Sequence, residues 1–512
     1  MSDATRDAVH PARRRARQPN SVTMAAAVAV SAASVGLATT TAIAASTASA
    51  TSATSGTSGT SATSAASAAS AASAASSAEV APASAPPTEG GSTFFLFDVE
   101  PVYQFDFSFF PTSTAVGDLD ADGHLDLVAS GRNAEGLVAV FMGASTGTWD
   151  TPTFIEIGRQ TNAVALRDLD GDGVLDMVLA IRAIRGRVVV MRGVGDGTFV
   201  DARPYGIQRE VADIAVADFT GDGFDDIAVS GYLNHDVTLL AGAGDGTFTQ
   251  IQSIPMGVGI RRPARPFWLE VGDIDGDGRD DLLASHFGSG HLSVMRQTFG
   301  GLEPPRRHPV GTLAGLAVTD IDGDGQTDVL TPTWEFPTGN LSVLRGLNPA
   351  FERTDYSVLD GFYLWAMIAA DLDGDGRDEG VLTEALSGRF NVFENLSSPG
   401  AVAFDVPQFF NVGAFPWHLL PVDFDDDCDI DLVVSDIGSH QLGFFVNFTD
   451  QAGCALTDLD GDGRGGIGDL LALLDDWGRG GGAADLDRDG VVGPLDLVRL
   501  VMSWPAATGA RR

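Results

Sequence analysis

Seven times in the middle of the chain, acidic side chains recur in the order Asp-x-Asp-x-Asp-Gly-x-x-Asp or a close variant of it. The first copy offers Asp118, Asp120, Asp122 and Asp126, with the carbonyl of His124 as a further oxygen. The next copies offer Asp168, Asp170, Asp172 and Asp176, then Asp218, Thr220, Asp222 and Asp226, then Asp273, Asp275, Asp277 and Asp281. The last three offer Asp320, Asp322, Asp324 and Asp328, then Asp371, Asp373, Asp375 and Glu379, then Asp423, Asp425, Asp427 and Asp431. Carboxylates at alternate positions of a tight loop converge on one centre, and a hard cation such as Ca²⁺ takes about six to eight oxygens. Glycine at position six permits the sharp turn. Without a cation, so many like charges in nine residues repel one another. The pattern therefore predicts a Ca²⁺ site in each copy. The copies with Thr220, Glu379 and Cys428 depart from the pattern, and those three sites are expected to be weaker or distorted.

The same loop returns twice near the C-terminus, as Asp458, Asp460, Asp462 and Asp469 and as Asp485, Asp487, Asp489 and Asp496, 27 residues later. There position twelve carries the last carboxylate, and a helical pattern follows in place of a strand. Leu470, Leu471, Leu473, Leu474 and Trp477 are expected on one helical face, and Leu497, Val498, Leu500, Val501 and Trp504 repeat the stripe. Together the nine loops place 35 of the 69 acidic residues at ligand positions, and nine dications would offset about half of the net charge of −38. That charge repels phosphates and anionic lipid, which argues against nucleic acid as a partner.

The elements that position these loops repeat with them. The copies begin at Asp118, Asp168, Asp218, Asp273, Asp320, Asp371 and Asp423, in steps of 50, 50, 55, 47, 51 and 52 residues. Each loop runs into a short β-rich segment such as Leu125–Ala129, and a second follows, such as Val188–Met191. Asp-Gly hairpin turns come next, as in Gly193-Val-Gly-Asp-Gly-Thr-Phe199. Four strands per repeat, meandering and arranged radially, predict an all-β, seven-bladed propeller with a small α-helical module at the C-terminus. The seventh repeat lacks a fourth strand, and the segment Val102–Phe110 is expected to supply it and seal the ring. In an open solenoid the same segment would be a cap.

The Asp-x-Asp-x-Asp-Gly-x-x-Asp loops and the Gly-x-Gly-Asp-Gly-Thr-Phe turns resemble the FG-GAP or VCBS repeats of integrin α-subunit propellers and their bacterial relatives, over about Thr93 to Phe448. The resemblance implies calcium loops joining the first two strands of each blade and a role in adhesion, scaffolding or surface binding. The paired loop-helix unit looks like a dockerin, which implies a cohesin-like partner. Its positions ten and eleven, Ile467-Gly468 and Pro494-Leu495, lack the polar pairs of the better-known dockerins, so a purely structural tail stands beside that reading.

The domain plan expected is a signal peptide over 1–44, an Ala/Ser/Thr linker over 45–92, the propeller over 93–450 and the dockerin-like module over 451–512. Arg13, Arg14, Arg15 and Arg17 precede an Ala/Val-rich stretch and the small-residue site Ala42-Ile43-Ala44, the order of an export signal, with a retained anchor as the alternative. Secretion or display on a bacterial surface follows. Cys428 and Cys454 are the only cysteines, and one disulfide between them is open.

Loops opposite the calcium face carry Arg182, Arg185, Arg261, Arg262, Trp268, Trp334, Tyr363, Trp365, Trp417 and His418. Arginine and aromatic side chains are the usual anchors of binding surfaces, so this face is expected to hold a protein or glycan. The alternative is that the tryptophans pack between blades. No zincin helix, nucleophile elbow or phosphate loop is present, and the expectation is a binder rather than an enzyme. The competing reading is a polysaccharide lyase-like enzyme on a calcium propeller using Arg261, Arg262 or His308.

Overall fold

The computed structural model describes residues 95–447 apart from 96, 100–101, 106–108, 134, 145–147, 184, 208–209, 258–263, 336–337, 347–350, 359–362, 426–428, and beyond these describes 459, 467–479, 484, 491–493, 497 and 500. The main body is seven antiparallel sheets, each a blade of four or five strands. The second strand of each blade begins on the position-nine acid, as in Asp126–Arg132, Asp176–Ile181 and Asp431–Asp436. These strands are buried along almost their whole length because each sheet is sandwiched between two others. That explains their continuous apolar runs where a half-exposed strand would alternate. Outer fourth strands such as Phe199–Gly206 are mostly exposed.

The first strands of the blades pack side by side in a closed circle around the axis. They are Phe110–Gly117, Thr161–Arg167, Val211–Ala217, Pro266–Gly272, the broken pair Thr312–Leu313 and Ala317–Thr319, Leu364–Ala370 and Pro416–Val422. In six blades the pairing of first and second strands slips at the same end, leaving Thr112, Asn162, Ala212 with Asp213, Phe267 with Trp268, Trp365 with Ala366, and Trp417 outside the ladder. Such bulges bend a strand and re-aim the extra side chain. Their end of the strand is opposite the Asp loops, which leave the first strands at their C-terminal ends.

The ring closes in the seventh blade, with a shift from the expected segment. Phe97–Val99 lies antiparallel on Gln441–Asn447, pairing Phe97 with Asn447, and Tyr103–Gln104 continues on the same strand. Phe110, expected in the closing strand, instead begins the first strand of blade 1. The reason is burial. Phe95, 2% exposed, joins the core between blades 6 and 7 with Phe390 and Phe445, while Phe105 stacks on Phe109 at 4.2 Å to form the corner leading into blade 1.

In the C-terminal region a helix spans Ile467–Asp476. Leu473 is fully buried with Ala484, Val492 and Leu500, and Leu470 is partly buried beside them. The expected five-residue stripe is not buried as a unit, since Leu471, Leu474 and Trp477 are 63%, 47% and 42% exposed. The helix turns only its Leu470–Leu473 edge to this small core. Among the described residues no helix is long and apolar enough to cross a membrane.

Removing the Phe95 ring tests the closure. Phe95→Ala is expected to cost about 3 kcal/mol in denaturant unfolding, in the range for a buried phenylalanine. A loss below about 0.5 kcal/mol would mean that the N-terminal segment does not hold the seventh blade.

Candidate metal centres

Each Asp loop is shaped by its own first carboxylate. Asp118 accepts N–H bonds from Asp122 at 3.2 Å and Gly123 at 3.1 Å, and Asp122 accepts from His124 at 2.9 Å. The same wrapping recurs at Asp168, Asp218, Asp273 and Asp320. It demands left-handed backbone at position six, met by Gly123 at φ 92° and Gly173 at φ 86°. The carboxylate oxygens then converge. In the sets Asp118–Asp120–Asp122, Asp168–Asp170–Asp172, Asp273–Asp275–Asp281, Asp320–Asp322–Asp328 and Asp371–Asp373–Glu379, one oxygen from each residue lies within 4.8 Å of the others.

The position-nine acid has a second occupation that the sequence pattern did not reveal. Asp126, 1% exposed, accepts the N–H of Leu119 at 2.7 Å on one oxygen and that of Gly143 at 2.7 Å on the other. It thus ties the loop entrance to the exit of the third strand. Asp176 does this with Leu169 and Gly193, Asp281 with Ile274 and Gln297, and Asp431 with Phe424 and Asn447. Glu379, expected to mark a distorted site, makes the same two bonds, to Leu372 and Asn395. Asp328 departs from the rule: Gly346 donates to Oδ1 at 3.1 Å, and its buried Oδ2 has no partner.

The loops also join neighbouring blades. The Gly-Asp-Gly turn of blade 2 donates from Gly197 to the Leu119 carbonyl, and that of blade 3 from Gly246 to the Leu169 carbonyl. Where that turn is missing, a side-chain amide takes over. Gln297 reaches the Asp218 carbonyl at 2.7 Å, Asn395 the Ile321 carbonyl at 2.9 Å, and Asn447 the Leu372 carbonyl at 2.7 Å. These amides escaped the sequence reading, although Gln or Asn directly after a third strand, where other repeats have Gly, was a visible signal.

Burial dominates the electrostatics. It pushes Asp281 up to about 6, Asp328 up to about 7 and Glu379 up to about 9. Adjacent loop carboxylates push the same way, and the backbone N–H bonds oppose them. The donor set fits a hard cation: Asp322 and Asp328, each 2% exposed, bury one unpartnered oxygen apiece in a site made only of oxygens. Of the remaining expected ligands, Thr220 donates its N–H to Asp226, and Asp222 accepts from Phe224. Asp423 and Asp425 enter the seventh loop, while Asp427 and Cys428 lie outside the described residues. So do Cys454, Asp458, Asp460, Asp462, Asp485, Asp487, Asp489 and Asp496; Asp469 falls within the described helix.

The opposite end of the axis is aromatic. The bulges bring Trp268, Trp365 and Trp417 together, with Trp365 at 5.0 Å from Trp268 and 4.4 Å from Trp417. Phe267 reaches Trp417 at 6.2 Å, from blade 4 to blade 7. Trp334 packs on Tyr363 at 4.6 Å. Trp365 is 4% exposed, so it forms the floor of the cluster, and the partly exposed Trp268, Trp334 and Trp417 form its surface. Arg132 lies 4.9 Å over Trp417. Half-buried His418, lowered to about 4 by desolvation, meets Thr114 at 3.2 Å. Arg182 pairs with Glu210, and Arg185 lines a cavity of about 630 Å³ with Arg187 and Ile207. His308 packs edge-on against Phe351 at 4.9 Å, and Arg261 and Arg262 lie outside the described residues.

A model of the FG-GAP-like repeat family matches residues 118–179, 168–229, 218–284 and 320–382. No curated protein matches the chain. Among solved structures, BBS1N in complex with ARL6DN aligns at 12% identity and a TM-score of 0.49, covering 69% of this chain and 97% of that one. The Dos1 propeller aligns at 9% identity and a TM-score of 0.44, covering 68% and 94%.

A pH dependence follows from the raised carboxyls. A group that holds its proton more tightly when folded contributes stability that is complete below its unfolded pKa, near 4, and lost as pH rises through its folded value. For Asp281, Asp328 and Glu379 that loss spans about 6 to about 9. In excess chelator the melting temperature is therefore expected to be higher at about pH 5.5 than at about pH 8.5. A higher value at the alkaline end would contradict the burial of these acids.

Proposed function

Because the chain carries FG-GAP-like repeats wound into a seven-bladed propeller, we propose that it is a secreted calcium-binding propeller that holds a protein or glycan partner and does not catalyse a reaction. The observation that carries this reading is the fifth loop, where unpartnered oxygens of Asp322 and Asp328 are buried beside Asp320. An isolated buried carboxylate is too costly to keep charged, and a dication held by oxygens removes that cost. Calcium suits a site with several carboxylates and a loop carbonyl better than the softer transition metals do. Export fits the arginine-led apolar segment at the N-terminus and a medium rich in Ca²⁺.

The aromatic end of the axis is the ligand surface in this proposal. Trp268, Trp334 and Trp417 are partly exposed there, with Arg132 over Trp417, the residue types by which sugars and peptide side chains are held. The two C-terminal loops are proposed to hold two further Ca²⁺ ions in a dockerin-like tail that docks another protein.

Melting with and without Ca²⁺ tests the metal reading. At Ca²⁺ about a hundredfold above Kd, each site adds about 2.7 kcal/mol of stability. The melting temperature should rise on addition, fall in chelator, and respond less in Asp328→Asn. Identical melting in Ca²⁺ and chelator would rule the reading out. For the ligand surface, Trp268→Ala and Trp417→Ala should abolish retention on a glycan or protein array while leaving Ca²⁺-dependent melting intact. Retention equal to the parent chain would move the binding surface elsewhere.

A further inference from the structure

Three arginines occupy one register position, the residue before the N–H that caps the position-nine carboxylate. They are Arg192 before Gly193, Arg296 before Gln297 and Arg345 before Gly346. Their guanidinium groups go to different places. Arg192 points outward, 3.8 Å from the exposed Asp201. Arg296 turns into the fourth loop and donates to Asp275 at 2.9 Å, and Arg345 turns into the fifth and donates to Asp322 at 3.0 Å. Asp275 and Asp322 are the position-three ligands of their loops. Arg345 is held in place by Glu352 at 3.1 Å and by the Gly400 carbonyl. Two further arginines lie on position-five carboxylates of their own loops, Arg279 on Asp277 and Arg377 on Asp375, in more open pairs. Among the described residues no arginine pairs with a ligand carboxylate of the first three loops. The chain has no lysine, so every basic side chain is a planar fork able to hold a carboxylate in a fixed direction.

We propose that Arg296 and Arg345 are built-in counter-charges that keep the fourth and fifth loops folded without metal and lower their affinity for Ca²⁺, dividing the ring into tight sites in blades 1 and 2 and weak ones in blades 4 and 5. This rests on the calcium reading of the loops. Arg345 takes Oδ2 of Asp322 and leaves Oδ1 buried without a partner, next to the unpartnered Oδ2 of Asp328. The pocket is thus still directed at a cation, but one unit of its negative charge is already spent. Ca²⁺ affinity follows the ligand charge count, and a fixed positive charge beside the ion repels it. The first two loops carry the full set of carboxylates and no such substitute, so their folding depends on the ion.

The test uses the full chain stripped of metal, with Arg345→Met, Arg296→Met and, as the control at the same register, Arg192→Met. Calorimetric Ca²⁺ titration is expected to show one weak site tightened about tenfold in R345M and in R296M and no change in R192M. Hydrogen exchange in chelator is expected to show residues 320–328 protected in the parent and exposed in R345M, with 118–126 and 168–176 exposed in both. Should R345M not fold, R296M reads the same device in blade 4 through residues 273–281. Unchanged or weakened affinity in a folded variant would make these arginines mere positioning groups and overturn the inference. A parent chain that takes up no Ca²⁺ would overturn the calcium reading itself and this inference with it.

Discussion

A carboxylate buried at the start of each second strand, holding in every blade but the fifth two backbone N–H groups that belong to different parts of the blade, is the constraint on which the structure turns. Asp126 between Leu119 and Gly143 is its plainest form. Such a group cannot be left unpaired at a cost of a few kcal/mol, so the loop entrance and the third-strand exit must stay in register with it. Burial raises the acid's pKa, with the loop's other carboxylates adding to it, and in the fourth, fifth and sixth loops the acid converges with two of them on one point that leaves room for a cation. In those three loops one residue therefore closes the hairpin geometry and forms the wall of the candidate site.

The amides of the neighbouring blade extend this constraint around the ring. Asn395 caps Glu379 with its backbone N–H while its side chain reaches back to the Ile321 carbonyl of the fifth loop. Asn447 does the same between Asp431 and Leu372 and sits opposite Phe97 in the closing strand. The geometry of one loop is thereby tied to the packing of the next blade. The two ends of the axis also separate in character, with acidic loops at one end and an aromatic and arginine surface at the other.

Much of this was legible in the sequence because it is local and repeated. The spacing of the Asp loops, the glycine at position six and the apolar runs after each loop are short-range signals, and they sufficed for blade number and strand order. The closing strand begins several residues earlier than expected because Val102–Phe110 alternates aromatic and polar residues as a strand does along its whole length and carries no repeat; only the long-range burial of Phe95 decides it. The tryptophans were assigned to the correct end by connectivity, but the bulges that aim Trp268, Trp365 and Trp417 across the axis leave no mark in composition. Arg192 and Arg345 look alike in sequence, and only the surroundings, Asp201 for one and Asp322 with Glu352 for the other, separate them.

Crystals grown in Ca²⁺ and measured for its anomalous scattering address the central claim most directly. The expected result is a peak among Asp320, Asp322 and Asp328, with the Gly346 N–H still on Asp328 Oδ1. Loops without density, or an Asp328 swung out of the strand to reach an ion at the surface, would contradict an account in which one buried acid serves both the blade and the metal.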